Sequence, residues 1–256
     1  MAFLALLLLI LATLAMSIES TNLSNNVAKP GCQTKCGNLT VPYAFGIGID
    51  AGCSIDSSFD ISYSEPIIDT SYRALEVIDI STSQIRIRNM LASLWYKQNG
   101  ELVDQKATLI NTEVSSFTLS EKDNRLLLIG CSDVAMGSGY LFYEGTNFRT
   151  GCMTRCSSGK DVSNSGNCSG IGCCQAAILV IGNHTAVWSF NPCSYAFLGE
   201  HEKFKFKGAS DFMDPNFERR IVNDVPIVLD WAIGTQNCSE VRNSTANSCV
   251  LFDREH

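Results

Sequence analysis

The twelve cysteines are the residues of this sequence with the most readily interpreted chemistry. Three of them, Cys168, Cys173 and Cys174, fall within seven residues, beside glycines that allow tight turns. Adjacent cysteines do not easily bond to each other, so we expect Cys173 and Cys174 to form disulfide bonds with different parts of the chain. Residues 175–181 follow directly and have the apolar pattern of a buried strand. The stretch therefore predicts a disulfide-linked segment anchored on a core strand.

An even number of cysteines behind an apolar N-terminus indicates disulfide bonds made in an oxidising compartment. Residues 1–20 are interpreted as a signal peptide, because an almost unbroken apolar run is followed by small residues. Residues 21–30 are predicted to be a flexible N-terminal segment. The connectivity of the bonds stays open, since spacing alone does not give it. The predicted disulfide cysteines are Cys32, Cys36, Cys53, Cys131, Cys152, Cys156, Cys168, Cys173, Cys174, Cys193, Cys238 and Cys249.

Metal binding and catalysis are the alternative uses of such side chains. Structural zinc needs reduced thiolates, and none of the three histidines is spaced with a cysteine pair as in a zinc finger. No Gly-x-Ser-x-Gly elbow is present. Asp50, Asp56 and Asp60 lie close together in the sequence, but they read as turn and strand residues rather than as the paired carboxylates of a glycosidase. We therefore predict a protein that is not an enzyme and has no resident metal or cofactor.

Carbohydrate binding is the remaining chemistry. An anionic sugar requires lysine or arginine to pair with its carboxylates, with aromatic rings alongside. Arg86 and Arg88 share one face of a predicted strand, and Lys97 follows Trp95 and Tyr96. Other basic residues lie close to cysteines, which would hold them in place. The candidate ligand-binding residues are Arg86, Arg88, Lys97, Lys35, Arg149 and Arg155. For each one taken singly, the alternative is an ordinary solvated side chain.

The net charge of −7 limits the class of ligand. It argues against a nucleic-acid-binding protein, which usually has a basic stripe. It also works against a polyanionic sugar, unless the basic residues cluster or calcium bridges carboxylates of both partners. Glycosylation agrees with a secreted protein, and the predicted sites are Asn22, Asn38, Asn183 and Asn243. Two further sequons have a cysteine in the middle and are less favourable.

The elements that position these residues are predicted to be short strands. Residues 74–80 and 85–88 alternate between apolar and polar side chains and are separated by four polar residues, which predicts a hairpin. Residues 216–222 are predicted to form a turn or two of helix. Further strands are predicted at 59–63, 115–119, 126–129, 140–143, 175–181, 195–198, 204–206 and 225–231. The predicted fold is mainly β: a disulfide-rich sandwich or meander of short antiparallel strands, with long loops and little helix.

Several blocks of the sequence resemble a known family. Residues 36–48 read Cys-Gly-Asn-Leu-Thr-Val-Pro-Tyr-Ala-Phe-Gly-Ile-Gly, which is similar to the opening of the galacturonan-binding domain of plant wall-associated receptor kinases. The blocks at 168–175, 191–198 and 225–234 resemble that family more specifically. The resemblance runs from about residue 31 to residue 249. It implies a galacturonan-binding-like cysteine-rich β domain at 31–145, a second cysteine-rich β region at 146–249 and a tail at 250–256.

The resemblance also implies a function. The expected activity is non-catalytic binding of pectin, as polygalacturonic acid and its oligomers, in the cell wall or apoplast. No membrane span and no kinase motif occurs in the sequence, so we expect a secreted or cell-surface, kinase-less ectodomain form or a truncated product. Other receptor ectodomains are further expected partners. The alternative function is a protein-interaction module that pairs with receptor kinases or peptides and binds no sugar.

Two departures from the family pattern concern the fold. Ala44 stands where the family usually has the second proline of Pro-Tyr-Pro-Phe, which frees one backbone dihedral. Family members commonly have a cysteine where Tyr63 stands and another near Trp95. Loss of both partners of one disulfide would keep the number of cysteines even. The sequence therefore predicts that Tyr63 and Trp95 approach each other across neighbouring strands.

Overall fold

The computed structural model describes residues 28–70, 73–108, 116–141, 146–162, 164, 166, 168–175 and 188–233. For 134–141 and 146–152 only the backbone is described. The predicted signal peptide, most of the segment 21–30 and the tail at 250–256 lie outside the described residues. The same holds for Asn22, Asn183, Asn243, Cys238 and Cys249.

The described residues form mainly strands. In chain order these are β1 (Lys35–Cys36), β2 (Leu39–Thr40), β3 (Gly46–Ile47), β4 (Asp60–Ile61), β5 (Ile67–Asp69), β6 (Ala74–Ile80), β7 (Gln84–Ile87), β8 (Leu91–Tyr96), β9 (Leu102–Lys106), β10 (Phe117–Leu119), β11 (Asn124–Ile129), β12 (Val134–Leu141), β13 (Thr146–Met153), β14 (Cys173–Gln175), β15 (Cys193–Glu200) and β16 (Ile227–Trp231). The α-helix of this part of the chain is α1 (Phe217–Asp224), and short 3-10 turns cover Ser57–Phe59, Gly159–Asp161, His201–Lys203 and Gly208–Phe212.

Two five-stranded antiparallel sheets make up the framework. The first has the order β10-β16-β7-β6-β5 and the second has the order β14-β11-β15-β8-β9. β1 with β2 and β12 with β13 form separate antiparallel pairs, and β3 pairs with β4 in parallel. The predicted regions 31–145 and 146–249 both contribute strands to each five-stranded sheet. This architecture confirms the prediction of a mainly β, disulfide-containing fold with little helix.

The core of the first sheet follows from alternation along its strands. Leu75, Val77 and Ile80 of β6 are buried, and the register shift between Val77 and Asp79 explains why Ile80, and not Asp79, is the next residue after Val77 to face the core. Ile85 and Ile87 of β7 face the same cluster. An aromatic group completes this core, formed by Phe45, Phe59, Phe117 and Trp231 with ring centroids 5.1–6.2 Å apart.

The second sheet buries its face against α1 and the segment before it. Phe217 and Ile221, four residues apart on one side of α1, are fully buried among residues of β8, β11 and β15. Phe204 and Phe206 belong to the same cluster. None of the helices within the described ranges is long and apolar enough to cross a membrane.

The strand predictions agree with the structure where one face of a strand is buried and the other face is solvated. Residues 74–80 form β6, which pairs with β7 in the predicted hairpin. Of the predicted helical residues 216–222, all but the first lie in α1, and Asn216 directly precedes it. The predicted strand at 204–206 is wrong, because Phe204 and Phe206 alternate in burial without a hydrogen-bonding partner strand. The prediction at 59–63 shortens to Asp60–Ile61. Residues 176–181 lie outside the described part, so only the start of 175–181 is seen as a strand.

Candidate functional site

Disulfide bonds stabilise several loops beside the sheets. The described bonds are Cys32–Cys53, Cys131–Cys156 and Cys168–Cys173, and Cys174 is disulfide-bonded as well. Cys173 and Cys174 therefore bond to different partners, as the sequence predicts. The partner of Cys173 is only five residues away, so this bond closes a small loop instead of joining distant segments.

Cys36 and Cys193 are free and buried, contrary to the prediction that they form disulfide bonds. The Cys36 Sγ atom lies 3.6 Å from the Ser62 carbonyl oxygen, next to Tyr63, and Cys193 lies directly opposite Trp95 in the β15–β8 ladder. Each free cysteine thus neighbours one of the two positions at which the family commonly has a cysteine. The expected approach of Tyr63 to Trp95 is also wrong, since Tyr63 precedes an edge strand of the first sheet and Trp95 lies in the second.

Arg86 and Arg88, two of the candidate ligand-binding residues, are engaged in ion pairs. The Arg86 guanidinium donates to both carboxylate oxygens of Glu200, at 3.1 and 2.9 Å, and to Asp79 at 3.1 Å. Arg88 donates to both oxygens of Glu76 at 2.6 Å. Arg86 joins β7 of the first sheet to the end of β15 in the second. Two-point pairs of this kind are strong, so these arginines offer little to a ligand.

The Arg88 pair predicts a pH dependence of stability. Hydrogen bonds from Arg88 lower the pKa of Glu76 below its ordinary value of 4.5. Because the folded-state pKa is lowered, the pair contributes stability above pH 4.5 and loses it as pH falls through the folded-state pKa. We expect Glu76→Gln to reduce the free energy of unfolding at neutral pH and to match the parent protein in acid. Urea unfolding between about pH 3 and pH 7 measures this difference. The control is Glu65→Gln at an exposed glutamate, and an equal loss at every pH would contradict the prediction.

The other candidates lie on separate elements. Lys97 is exposed in the turn between β8 and β9 and pairs with Glu101 at 3.0 Å. Lys35 in β1 and Arg155 after β13 are exposed, and within the described ranges neither has an ion-pair partner. Arg149 lies in β13, where only the backbone is described. Of the five predicted residues whose side chains are described, the structure therefore brings together only Arg86 and Arg88, which lie two residues apart at the end of β7.

A surface of which the sequence showed only Trp95 and Lys97 lies on the β8–β9 hairpin, and we call it the Trp95 surface. Trp95 is opposite Asp104 and Ser93 is opposite Lys106, so Lys106 is the diagonal neighbour of Trp95 on one face of the sheet. Lys97 follows two residues after Trp95. Lys106 also forms an ion pair with Glu218 of α1, which places the helix at the border. The Trp95 surface comprises Trp95, Lys97, Glu101, Asp104, Lys106 and Glu218.

The Trp95 ring is both exposed and fixed in position. Its exposed fraction is 42%, and its ring meets that of Tyr195 edge to face with centroids 6.2 Å apart. Tyr195 in turn stacks on Phe217 of α1 at 4.7 Å, and burial raises the pKa of its phenol. An indole supported in this way keeps its orientation without a ligand. In the sequence, Trp95 stands in a segment whose apolar and polar residues do not alternate regularly, so β8 was not predicted as a strand.

The charges of the Trp95 surface are mixed. Its three carboxylates outnumber its two ammonium groups, and both lysines are already paired, Lys97 with Glu101 and Lys106 with Glu218. These four side chains are about half exposed, so the two ion pairs contribute little to stability. The carboxylates therefore keep free acceptor positions beside an aromatic face. In the described part of the chain, no group of three or more His, Cys, Asp or Glu side chains could hold a metal ion.

Comparison with known proteins gives a consistent set of relatives. "Wall-associated receptor kinase 2" of Arabidopsis thaliana is 34% identical over 91% of this chain and 32% of its own length. "Wall-associated receptor kinase 1" is 30% identical over 93% of this chain, and "Wall-associated receptor kinase 5" is 29% identical over 96%, both from the same plant. The chain spans about a third of the length of these relatives. No family model matches the chain, and no solved structure is significantly similar to it.

Proposed function

Because this chain is a homologue of the wall-associated receptor kinases, we propose that it acts outside the cell as the wall-binding part of such a receptor. The proposed ligand is pectin, as polygalacturonic acid and its oligomers, bound without catalysis. The observation that carries the proposal is the extent of the homology, which covers about nine tenths of this chain. The relatives' names describe wall association, and the resemblance of the sequence blocks implies galacturonan as the wall component.

Two structural observations support an extracellular site of action. The disulfide bonds Cys32–Cys53 and Cys131–Cys156 are typical of proteins folded in an oxidising compartment. Asn38, a predicted glycosylation site, is exposed in the turn between β1 and β2, where a glycan would not disturb the core. Both features fit a secreted or cell-surface protein.

The test is binding of the glycosylated protein to galacturonan oligomers, measured by calorimetry with and without a calcium chelator. Saturable binding, absent for a glucan of equal length, is the expected result. Loss of binding in the chelator would assign the contact to a calcium bridge between carboxylates. If no galacturonan binds while the thermal unfolding transition is intact, the proposal is wrong.

A second candidate function, docking of another protein, is favoured by an exposed apolar pair. Met153 and Ile171 are exposed on neighbouring segments, which the Arg155 amide joins by donating to the Gly170 carbonyl at 2.8 Å. The Cys168–Cys173 bond holds Ile171 at the tip of its loop. This candidate predicts that Ile171→Asp abolishes binding to a receptor ectodomain and leaves any sugar binding unchanged.

A further inference from the structure

We propose that a row of three exposed lysines after β15 binds the ionised carboxylates of galacturonan. The row comprises Lys203, Lys205 and Lys207, and we call it the lysine row. This inference rests on the proposed function and names a contact site for its ligand. The lysine row lies in the region 146–249, so it adds a contact to any that the region 31–145 makes.

The regular spacing of the lysine row follows from two buried phenylalanines. Phe204 and Phe206 lie between the lysines and are 8% and 3% exposed, whereas Lys203, Lys205 and Lys207 are all exposed. Residues two apart in an extended chain are about 6–7 Å apart along the backbone. The row therefore presents three ammonium groups at regular intervals, which suits a polymer with one carboxylate per sugar unit.

The backbone that carries the lysine row is held in place by contacts with the rest of the fold. The Phe204 ring meets that of Phe197 edge to face, with centroids 5.2 Å apart. The Lys207 amide donates to Asp211 Oδ2 at 2.8 Å, and the Ser210 hydroxyl donates to the Lys207 carbonyl at 2.9 Å. A ligand therefore has to order only the lysine side chains, which limits the entropy lost on binding.

The lysines of this row keep their charges available to a ligand. Within the described ranges, none of the three forms an ion pair. Residues 201–210 contain these three lysines and one acidic residue, Glu202, which leaves the stretch with a net positive charge. Glu200 and Asp211, which flank the stretch, are each paired with an arginine. The lysine row thus differs from Arg86 and Arg88, which are held by glutamates.

The net charge of −7 does not exclude this contact. At physiological ionic strength, exposed charges more than about 8 Å apart are largely screened, so distant carboxylates act weakly on a bound ligand. Neighbouring lysines of the row are spaced below this distance along the backbone, and they act together on one ligand. This is the clustering of basic residues that a polyanionic sugar requires on an acidic protein.

The test is calorimetry of an unesterified galacturonan oligomer at low and high salt and at one fixed calcium concentration. We expect Lys205→Gln combined with Lys207→Gln to weaken binding at least about threefold at low salt and to reduce its salt dependence. Lys205→Arg combined with Lys207→Arg keeps both charges and should bind as tightly as the parent protein. The matched control is Lys29→Gln combined with Arg73→Gln, which removes two exposed cations from other segments and should leave binding unchanged.

The outcomes separate the two proposals. If the parent protein binds the oligomer and the double glutamine variant of the lysine row binds as tightly as the matched control, the row is not a contact site, and the proposed function stands. If a polyglutamate of equal charge binds as tightly as the oligomer, the row attracts any polyanion and its assignment to galacturonan is wrong. If the folded parent protein binds no galacturonan, both proposals are wrong.

Discussion

Replacing Asp211 by alanine is expected to lower the free energy of unfolding by about 3–5 kcal/mol, the range measured when one partner of a buried ion pair is removed. The Asp211 side chain is 1% exposed and accepts from Arg220 Nη2 at 2.5 Å and from the Lys207 amide at 2.8 Å. Arg220 is itself largely buried, with its guanidinium 5.1 Å from the centre of the Phe217 ring. Without Asp211, the positive charge of Arg220 has no carboxylate partner in a region of low polarity.

Denaturant unfolding of the parent and variant proteins measures this effect. The control is Glu101→Ala, which breaks the exposed Lys97–Glu101 pair and should change stability far less than Asp211→Ala does. A loss of similar size in both variants would contradict the buried position of Asp211. The double replacement Asp211→Leu with Arg220→Leu should recover part of the loss, because it removes both charges and leaves only the Lys207 amide without its acceptor.

The sequence predicts strands well where a strand has one buried and one solvated face. β6 and β7 are examples, since their alternation is set by the core on one side and water on the other. β9 was missed because all five of its residues are exposed, so burial leaves no pattern on them. Phe204 and Phe206 mimic a strand because alternate residues of an extended loop also reach the core. Local alternation reports burial, and only the pairing of distant segments makes a strand.

The candidate site was harder to predict than the fold, for a related reason. Arg86 and Arg88 are visible in the sequence as two cations on one face. Glu200, which forms the ion pair with Arg86, is 114 residues away in the sequence. The Trp95 ring is held in position only because β15 brings Tyr195 beside it, and it gains a charged neighbour only because β9 brings Asp104 opposite it. The distribution of free and occupied charges is a property of the folded chain. Composition gives the sign of the total charge, but it does not show which charged side chains are free to meet a ligand.

The two free cysteines show how pairing in space differs from counting. An even number of cysteines suggested that all were bonded, and the missing family cysteines suggested one lost bond between positions 63 and 95. In the structure these positions neighbour different thiols, Cys36 and Cys193. Each departure therefore fits the loss of one partner from a separate bond, with the other cysteine left in the core. This interpretation can be tested by restoring a cysteine at position 95, opposite Cys193.

Trp95→Cys is expected to form a disulfide bond with Cys193 and to raise the free energy of unfolding. The Tyr96 amide donates to the Pro192 carbonyl at 3.1 Å, so the next pair, Trp95 with Cys193, is a non-hydrogen-bonded pair of the antiparallel ladder. In such pairs the Cα atoms are about 4.5 Å apart, within the range of disulfides. A bond closing a loop of this length stabilises by about 2–4 kcal/mol, offset by about 0.5–1.5 kcal/mol for the lost contact with Tyr195.

Burial determines how this bond can be made. It raises the pKa of the Cys193 thiol to about 12, so the thiolate that reacts is scarce in the folded protein. The bond should therefore form during oxidative folding and should not form when the reduced, folded variant is oxidised. Peptide mapping by mass spectrometry detects it, and Trp95→Ser separates the effect of the bond from that of the lost ring. Two unbonded thiols at these positions after oxidative folding would contradict the register of β8 and β15, on which the geometry of the Trp95 surface also depends.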